Sequence, residues 1–223
     1  AKVTIAGRRA APLEALCKPY ETMGYQVYDV ISPTEMAASL TSARATFGPF
    51  NIAVANAGAA ASKPFGKLTT EDLTAMLEVN LLGVFHTFQA VMPDMLGSGW
   101  GRLITIASTA GLKGYGYVSA YSAAKHAAVG LTRSLAIEVA QKGITVNAIC
   151  PSYVDTPMTE RTIDNIMAQT GRDRPTAIQA LVSNNPQRRL IQPTEIANSV
   201  QFLCGDQAAA INGQTITLSG GET

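Results

Sequence analysis

The sequence predicts an α/β protein of the Rossmann-like, doubly wound type, in which a parallel sheet lies between two layers of helices (α/β/α). Apolar strand-like segments alternate along the chain with helical segments of about 10–25 residues, as in repeated βαβ units. Segments 52–55, 103–107 and 144–150 are predominantly apolar rather than alternating, which is typical of strands buried on both faces. The 223 residues, 47% of them hydrophobic, are enough for one large domain with its own core. We therefore predict a single domain over residues 1–223.

The first half of the chain contains predicted strands that are each followed by a predicted helix. The strands are 2–6, 25–30 and 51–56, and the helices are 12–23, 32–47 and 69–96. Ser32 with Pro33 and Glu35 is a typical helix start, and Gly48-Pro49 is a typical stop. The segment 69–72 begins the long third helix, whose apolar residues recur at helical spacing.

In the second half, the sequence predicts further strands and helices and one long insertion. The strands are 102–108, 144–150 and 214–218, and the helices are 120–141 and 193–204. Residues 157–190 carry only two short helical patterns, around 163–167 and 178–182. This insertion follows the carboxyl end of a strand, where open α/β sheets bind ligands. We therefore predict that residues 157–190 form a lid.

The composition argues against several classes of partner and site. The net charge is +1, so there is no electrostatic case for nucleic acid or an anionic membrane. No window holds the ~18 uninterrupted apolar residues that a bilayer span needs. Cys17, Cys150 and Cys204 are odd in number and far apart, which predicts neither disulfides nor a metal site. We therefore expect a cytoplasmic protein of a reducing compartment, with no metal, nucleic-acid or membrane partner.

The strongest indication of chemistry is the set Ser108, Tyr121 and Lys125. Tyr121 and Lys125 lie one helical turn apart, and Ser108 ends the preceding strand at the edge where their helix begins. An unperturbed phenol has a pKa of about 10, and a neighbouring ammonium lowers that pKa. We predict Tyr121 as a general acid or base, Lys125 as the group that lowers its pKa, and Ser108 as a hydrogen-bond partner of a substrate oxygen. The alternative is that Tyr121 and Lys125 form an ordinary pair on a helix surface.

Further motifs occur in chain order around this set. They are Asp29-Val30 after the second strand, Asn56-Ala57-Gly58 after the third, Asn80 in the long helix, and the segment Pro151 to Thr156 after a later strand. Together with Ser108 and Tyr121-Ser-Ala-Ala-Lys125, these motifs resemble those of the short-chain dehydrogenase/reductase family, and the resemblance spans essentially the whole chain. It leans toward the branch of 3-oxoacyl reductases and 3-hydroxyacyl dehydrogenases.

The resemblance implies a nicotinamide dinucleotide cofactor and a set of site residues. The implied catalytic tetrad is Asn80, Ser108, Tyr121 and Lys125. The implied cofactor-binding residues are Arg8, Asp29, Val30, Asn56, Ala57, Gly58, Tyr121, Lys125, Pro151, Val154 and Thr156. Lys125 would hold the nicotinamide ribose, and Val154 and Thr156 would anchor the carboxamide. The resemblance also implies a homodimer or homotetramer formed through helices 69–96 and 120–141.

Asn80 is also unusual on physical grounds. Asparagine is a poor residue for a helix interior because its amide competes for backbone hydrogen bonds, and Gly83 weakens the helix further. We predict a local kink at Asn80 that frees a carbonyl for a bound water, which the family uses to pass protons outward from the lysine. The alternative is that Asn80 lies on the exposed face of the helix.

The exit of the first strand bears on the choice of cofactor. In such folds an acidic residue there binds the ribose 2′-hydroxyl of NAD, whereas an arginine accommodates the 2′-phosphate of NADP. In the family register Gly7 takes the acidic position, and Arg8 follows it with a guanidinium that can bind phosphate. We therefore predict NADP(H) over NAD(H). The alternative is that Arg8 and Arg9 are only solvated surface charges.

The sequence departs from the family at two places. The family's first strand, glycine-rich pyrophosphate turn and first helix are missing, a unit of roughly 30 residues. The missing strand would lie at the sheet centre, between the strands at 2–6 and 51–56, so its absence would leave two unpaired edges. We therefore expect the working protein to carry this unit, ahead of which any targeting segment would be hidden. The second departure is Ser152, where the family usually has glycine.

The resulting functional hypothesis is an oxidoreductase that interconverts a carbonyl and a secondary alcohol by hydride transfer with NADP(H). In residues 157–190 the arginines outnumber the acids, and a basic rim suits a phosphate-bearing acyl carrier, such as a 3-oxoacyl or 3-hydroxyacyl thioester. The alternatives are an NAD(H)-dependent dehydrogenase of another small alcohol, a sugar or a steroid, and a catalytically idle dinucleotide-binding protein.

Overall fold

A computed structural model describes all 223 residues and confirms the predicted alternation of strands and helices. The strands are β1 (Val3–Gly7), β2 (Met23–Val27), β3 (Ile52–Ala55), β4 (Gly101–Ile106), β5 (Ile144–Pro151) and β6 (Thr215–Leu218). The helices are α1 (Ala10–Cys17), α2 (Pro33–Phe47), α3 (Thr70–Leu77), α4 (Gly83–Ser98), α5 (Ser119–Val139), α6 (Pro157–Thr170), α7 (Arg174–Leu181) and α8 (Pro193–Cys204). All strand pairs are parallel, as the buried apolar strands predict.

The strands form two hydrogen-bonded groups rather than one continuous sheet. β1 pairs with β2, and the other strands follow in the order β3-β4-β5-β6. The interruption between β1 and β3 lies where the sequence analysis places a further strand. On its two sides Val3 of β1 and Ile52 and Val54 of β3 are each 38% exposed, although their side chains are apolar. That the working protein carries the additional unit stays a prediction.

Helices cover both faces of the β3–β6 sheet, which confirms the three-layer arrangement. Every residue of β5 is buried, and Leu103 and Ile104 of β4 are at most 1% exposed on opposite faces. Leu103 belongs to a core with Phe88 and Met95 of α4 and with residues of α2 and α5. On the other face Ile104 packs with Leu203 of α8. This burial fixes the carboxyl ends of β4 and β5, where the candidate site lies.

The first helix and the second strand differ from their predicted positions. The predicted helix 12–23 is α1, which ends at Cys17, and the strand predicted at 25–30 is β2, which begins at Met23. The cause is Pro19, because a proline has no N–H group to donate the next intrahelical hydrogen bond. The chain beyond Pro19 is therefore free to pair with β1 from Met23 onward.

The long helix predicted at 69–96 is interrupted at Asn80, so the predicted local distortion is present. A π-helical segment, Glu78–Leu82, separates α3 from α4. Gly83 follows it, and a Cβ there would lie 2.8 Å from Val30 Cγ2, so only glycine allows this close approach. By length and composition alone the helical segment Thr70–Ser98 could also cross a membrane. A core helix of a globular fold meets the same criterion, and this segment packs against β3 and α5.

The insertion 157–190 forms α6 and α7, in agreement with its two helical patterns. Its ends are fastened together beside the sheet. The Asp155 amide donates to the Ile191 carbonyl and the Ile191 amide donates to the Tyr153 carbonyl, both at 2.9 Å. The insertion therefore begins and ends at the same place, beside the carboxyl end of β5. Its role as a lid stays a prediction.

Candidate active site

The carboxyl edge of β4 and the first turns of α5 bring Ser108, Tyr121 and Lys125 together. Ser108 follows β4, and α5 presents Tyr121 and Lys125 on one face. The Ser108 hydroxyl accepts a hydrogen bond from the Ala110 amide at 3.1 Å, and it is near enough to the Tyr121 phenol to affect its pKa. Lys125 Nζ lies 5.8 Å from the centre of the Tyr121 ring. The pair does not form the exposed surface contact of the alternative interpretation, because Lys125 is only 4% exposed.

The pKa values in this cluster are governed by burial. Burial raises the pKa of the Tyr121 phenol, and the neighbouring Ser108 hydroxyl opposes that rise without reversing it. That Lys125 lowers this pKa stays a prediction. Burial also lowers the pKa of the Lys125 ammonium to about 8.

Lys125 retains unused hydrogen-bonding capacity in this buried position. Its ammonium donates to the Ile106 carbonyl at 2.9 Å, and an ammonium has further N–H donors. A Cβ on Gly58 would lie 3.6 Å from Lys125 Nζ and 3.1 Å from Asn80 Oδ1. The Asn56-Ala57-Gly58 turn after β3 therefore lies beside both polar groups, and Asn56, Ala57 and Gly58 are exposed.

Asn80 is fully buried, so the alternative that it lies on the exposed helix face is wrong. Its side-chain amide donates to the carbonyls of Ala59 and Met76 at 2.9 and 3.0 Å. Its oxygen accepts from the Ala59 amide at 3.3 Å. Asn80 thus fastens the turn after β3 to the π-helical segment. No bound water is needed to explain these contacts, and the proton relay stays a prediction.

At the other end of the site, Arg8 and the Asp29-Val30 pair lie close together. Arg8 Nη1 is 3.6 Å from Asp29 Oδ2, and the Arg8 side chain is 77% exposed. Asp29 Oδ1 accepts from the Ile31 amide at 3.3 Å, and the Val30 carbonyl lies 3.1 Å from His86 Nδ1. These contacts position the pair after β2, so that its carboxylate and backbone face the exit of β1.

The predicted carboxamide loop begins at Pro151, the last residue of β5. The Val154 carbonyl accepts hydrogen bonds from the hydroxyls of Thr156 and Thr159 at 3.3 and 2.5 Å. The same loop contacts Ile191, so both the start of the insertion and its end hold Val154 in place.

The residues present fit the two ends of a nicotinamide dinucleotide. A buried lysine with spare donors, next to an exposed turn, suits the hydroxyls of the nicotinamide ribose. A carboxylate and a guanidinium at the exit of β1 suit the adenosine end. The pyrophosphate between those ends is the part for which these 223 residues contain no glycine-rich turn.

Fewer arginines of the insertion are free to bind a phosphate group than their number in the sequence predicts. Arg174 forms two hydrogen bonds with Glu160, at 2.6 and 2.9 Å, and Arg189 forms two with Glu195, at 2.7 and 2.8 Å. Glu195 lies outside residues 157–190, so the charges of that range alone do not include it. Arg161, Arg172 and Arg188 are exposed and have no ion pair.

Sequence reasoning missed a second polar cluster near the site, formed by Lys113, Tyr115, Ser152 and Glu222. Its members are separated by up to 109 residues and meet only in the folded chain. Tyr153 was missed as well, although burial raises the pKa of its phenol and it acts electrostatically on Tyr121. The one signal in the sequence was Ser152, which stands where the resemblance leads one to expect glycine.

Comparisons with known proteins agree with this geometry. Residues 1–223 match the family described as enoyl-(acyl carrier protein) reductase. The chain is 37% identical to D-beta-hydroxybutyrate dehydrogenase of Rhizobium meliloti over 196 residues, 87% of this chain and 76% of that protein. It is 38% identical to 3-oxoacyl-[acyl-carrier-protein] reductase FabG of Escherichia coli over 193 residues, 86% of this chain and 75% of that protein. A crystal structure of a variant actinorhodin polyketide ketoreductase with NADPH superposes with a TM-score of 0.94 at 32% identity, covering 99% of this chain and 87% of that one.

The match to the family covers the whole chain, and the identity to both relatives exceeds a third over most of its length. The half-buried Ser108 and Tyr121, the buried Lys125 and the parallel sheet are in agreement with these relationships. The chain therefore belongs to the short-chain dehydrogenase/reductase family of NAD(P)-dependent oxidoreductases, in the branch that includes the 3-oxoacyl reductases.

Proposed function

We propose that this protein interconverts a carbonyl and a secondary alcohol with NADP(H), acting on a 3-oxoacyl or 3-hydroxyacyl thioester. The observation that carries the proposal is the meeting of Ser108, Tyr121 and buried Lys125 at one point of the carboxyl edge of the sheet. Two hydroxyl groups that meet at one point can both donate to the same carbonyl oxygen.

Each group has a separate task in this proposal. The nicotinamide, when bound, supplies or accepts the hydride at the substrate carbon. Ser108 holds the substrate oxygen, and Tyr121 donates its proton in the direction of reduction or accepts one in the direction of oxidation. Lys125 holds the nicotinamide ribose with its spare N–H donors. Asn80 keeps the turn after β3 in register with Lys125, and the proposed proton relay leads outward from that lysine past the π-helical segment.

The substrate class is supported by the relatives and by the remaining exposed charge. One relative is named a 3-oxoacyl-[acyl-carrier-protein] reductase and another a D-beta-hydroxybutyrate dehydrogenase. Both names describe a 3-oxo or 3-hydroxy acyl group. Arg161, Arg172 and Arg188 remain available to meet the phosphate of an acyl carrier. Because Arg174 and Arg189 are paired, this electrostatic support is weaker than the sequence indicates.

A panel of carbonyl compounds with NADPH tests the proposed function. We expect 3-oxoacyl thioesters to be reduced with the highest kcat/KM, measured as the loss of nicotinamide absorbance. Sugar ketoses, steroid ketones and simple ketones serve as the comparison set. Faster turnover of one of these would reject the thioester assignment and keep the oxidoreductase. No turnover of any compound, together with measurable NADPH binding, would support the idle dinucleotide-binding alternative.

The NADP(H) preference rests on Arg8. We expect NADPH to be used with a kcat/KM about tenfold or more above that for NADH, because hydrogen bonds to a charged group contribute about 1.5–3 kcal/mol. The Arg8→Ala variant should lose most of this preference while kcat/KM with NADH stays within about twofold. The polyketide ketoreductase structure with NADPH is in line with this preference.

Arg9→Ala is the matched control for Arg8, since Arg9 is the exposed neighbour, and its side chain does not cap α1. It should leave the cofactor preference unchanged. A tenfold preference of the wild type for NADH would contradict the assignment, and an equal effect of both substitutions would show that only general positive charge matters.

Assembly into a homodimer or homotetramer stays a prediction. It is supported by the exposed apolar side chains of Leu82 in the π-helical segment, Phe85 and Leu96 on α4, and Ile137 on α5. Apolar side chains on neighbouring helices provide a surface that a second copy could cover.

A further inference from the structure

Glu222 follows the turn at Gly220-Gly221 and places its carboxylate in the interior, where the side chain is 3% exposed. The Tyr115 hydroxyl donates to Oε1 at 2.6 Å, and the Ser152 hydroxyl donates to Oε2 at 2.5 Å. The Lys113 ammonium lies 3.1 Å from Oε1. A buried carboxylate with this many donors is fully engaged, so it has a single preferred position.

The donors come from the two segments that border the active site. Lys113 and Tyr115 belong to the segment after β4 that also contains Ser108. Ser152 belongs to the loop after β5. The Tyr115 hydroxyl also lies 2.7 Å from Thr109 Oγ1, and Thr109 is the direct neighbour of Ser108. A continuous chain of hydrogen bonds therefore joins the side chain of Thr109, the neighbour of Ser108, to the loop that carries Val154 and Thr156.

We propose that Glu222 is a positioning residue, whose carboxylate holds the Ser108 segment and the Pro151–Thr156 loop at a fixed separation. The inference rests on the proposed function, because that separation sets how the substrate oxygen at Ser108 faces the nicotinamide. It also gives a reason for a serine at position 152, because a glycine there would have no hydroxyl to donate to Glu222.

The ionisation of Glu222 is consistent with this role. Burial on its own raises the pKa of the carboxyl, but the hydrogen bonds from Ser152, Tyr115 and Lys113 together hold it below its usual range. For Tyr115, burial and the adjoining carboxylate raise the pKa of the phenol, so this hydroxyl keeps its proton and remains a donor. The contacts of Glu222 with Lys113, Tyr115 and Ser152, here called the clamp, thus combine a charged acceptor with a phenol that keeps its proton.

The test is the Glu222→Gln variant, whose amide oxygen cannot replace both carboxylate oxygens and gives Lys113 no opposite charge. We expect kcat to fall by about 10- to 100-fold, since small displacements of reacting groups have effects of this size. KM for the thioester and the dissociation constant of NADPH should each change by less than about threefold. Tyr115→Phe should lower kcat as well, and the double variant should be no worse than Glu222→Gln alone because both act through one contact chain.

Glu138→Gln, an exposed glutamate on α5, is the matched control and should behave as the wild type. Ser152→Gly and Tyr115→Phe each remove a single donor, so they keep the test decisive if Glu222→Gln is poorly folded. Additive effects of Tyr115→Phe and Glu222→Gln, or a lower Tm with unchanged kcat, would overturn the proposal and leave Glu222 a structural residue.

Hydrogen exchange separates this proposal from the proposed function, because it needs no substrate. In Glu222→Gln we expect faster exchange at backbone amides of residues 109–115 and 152–156, relative to wild type and Glu138→Gln. Faster exchange only at residues 220–223 would overturn the clamp even if the wild type is an active reductase. Should the wild type turn over no carbonyl compound, the proposed function fails, and the exchange pattern still decides whether Glu222 holds both segments.

Discussion

Replacing Tyr121 by phenylalanine is expected to lower kcat for carbonyl reduction by about 100- to 10,000-fold, the range over which a positioned general acid contributes. The phenyl ring keeps the packing beside Lys125 and removes only the hydroxyl that Ser108 meets. NADPH binding should therefore change by less than about threefold, so that the loss lies in kcat rather than in affinity. Single-turnover reduction followed by nicotinamide absorbance, with binding measured by titration, separates the two.

The pH dependence of this step follows from the raised pKa of Tyr121. A phenol whose pKa is raised by burial keeps its proton across the neutral range, so the rate of reduction should stay level and fall only at high pH. The rate of alcohol oxidation needs the phenolate and should rise with pH. Tyr20→Phe, at an exposed tyrosine, is the control and should alter neither rate. A Tyr121→Phe variant with more than a tenth of wild-type kcat would show that another group supplies the proton.

The features that the sequence predicts correctly are those decided by local pattern. Helix α2 begins at Pro33 and ends at Phe47 as its capping residues indicate, and the Ser32 hydroxyl accepts from the Glu35 amide. Strand β5 is buried along its whole length, as its continuous apolar character indicates. The distortion at Asn80 is also predictable, because a poor helix former stands three residues before Gly83 in a largely apolar helix.

The features that the sequence does not predict depend on contacts between distant residues. Arg189 forms an ion pair with Glu195, which belongs to α8 rather than to the insertion. The pKa of Tyr121 depends on how deeply the fold buries the ring, and helical spacing does not report depth. Glu222 acquires its partners only when the chain after β6 returns to the ends of β4 and β5. Pro19 is different, since a proline inside a helical pattern is a local signal that the helix ends there.

The Lys125→Met variant is expected to change both activity and the pH dependence of stability. Methionine keeps most of the side-chain volume but has no ammonium for the ribose, so NADPH affinity and kcat should fall together by about tenfold or more each. The effect on stability is opposite in direction: at neutral pH the substitution should increase the free energy of unfolding. In the folded protein the Lys125 pKa is about 8, compared with 10.5 for an unperturbed lysine. The buried ammonium therefore destabilises the fold at neutral pH by about 3 kcal/mol, before counting its hydrogen bond to Ile106.

The sign of this effect gives a test that does not involve catalysis. Between the folded pKa of about 8 and the unfolded value of 10.5 the unfolded chain binds more protons at this lysine, so raising the pH favours the folded state. The free energy of unfolding of wild type, relative to Lys125→Met, should therefore rise by up to about 3 kcal/mol across this window. Denaturant titrations of both proteins through this pH range measure it, and exposed Lys142→Met is the control that should run parallel to wild type.

Parallel curves for wild type and Lys125→Met would contradict the low pKa and would mean that water reaches the ammonium. The alternative result is that the stability of wild type relative to Lys125→Met rises with pH while the variant loses NADPH affinity. That result would show that the Lys125 ammonium destabilises the fold and also serves cofactor binding. The ammonium donates to the Ile106 carbonyl and lies beside the exposed turn at Gly58, so its remaining N–H groups are available to the hydroxyls of a bound ribose. Cofactor binding should then raise the Lys125 pKa and recover the stability lost by burying the charge.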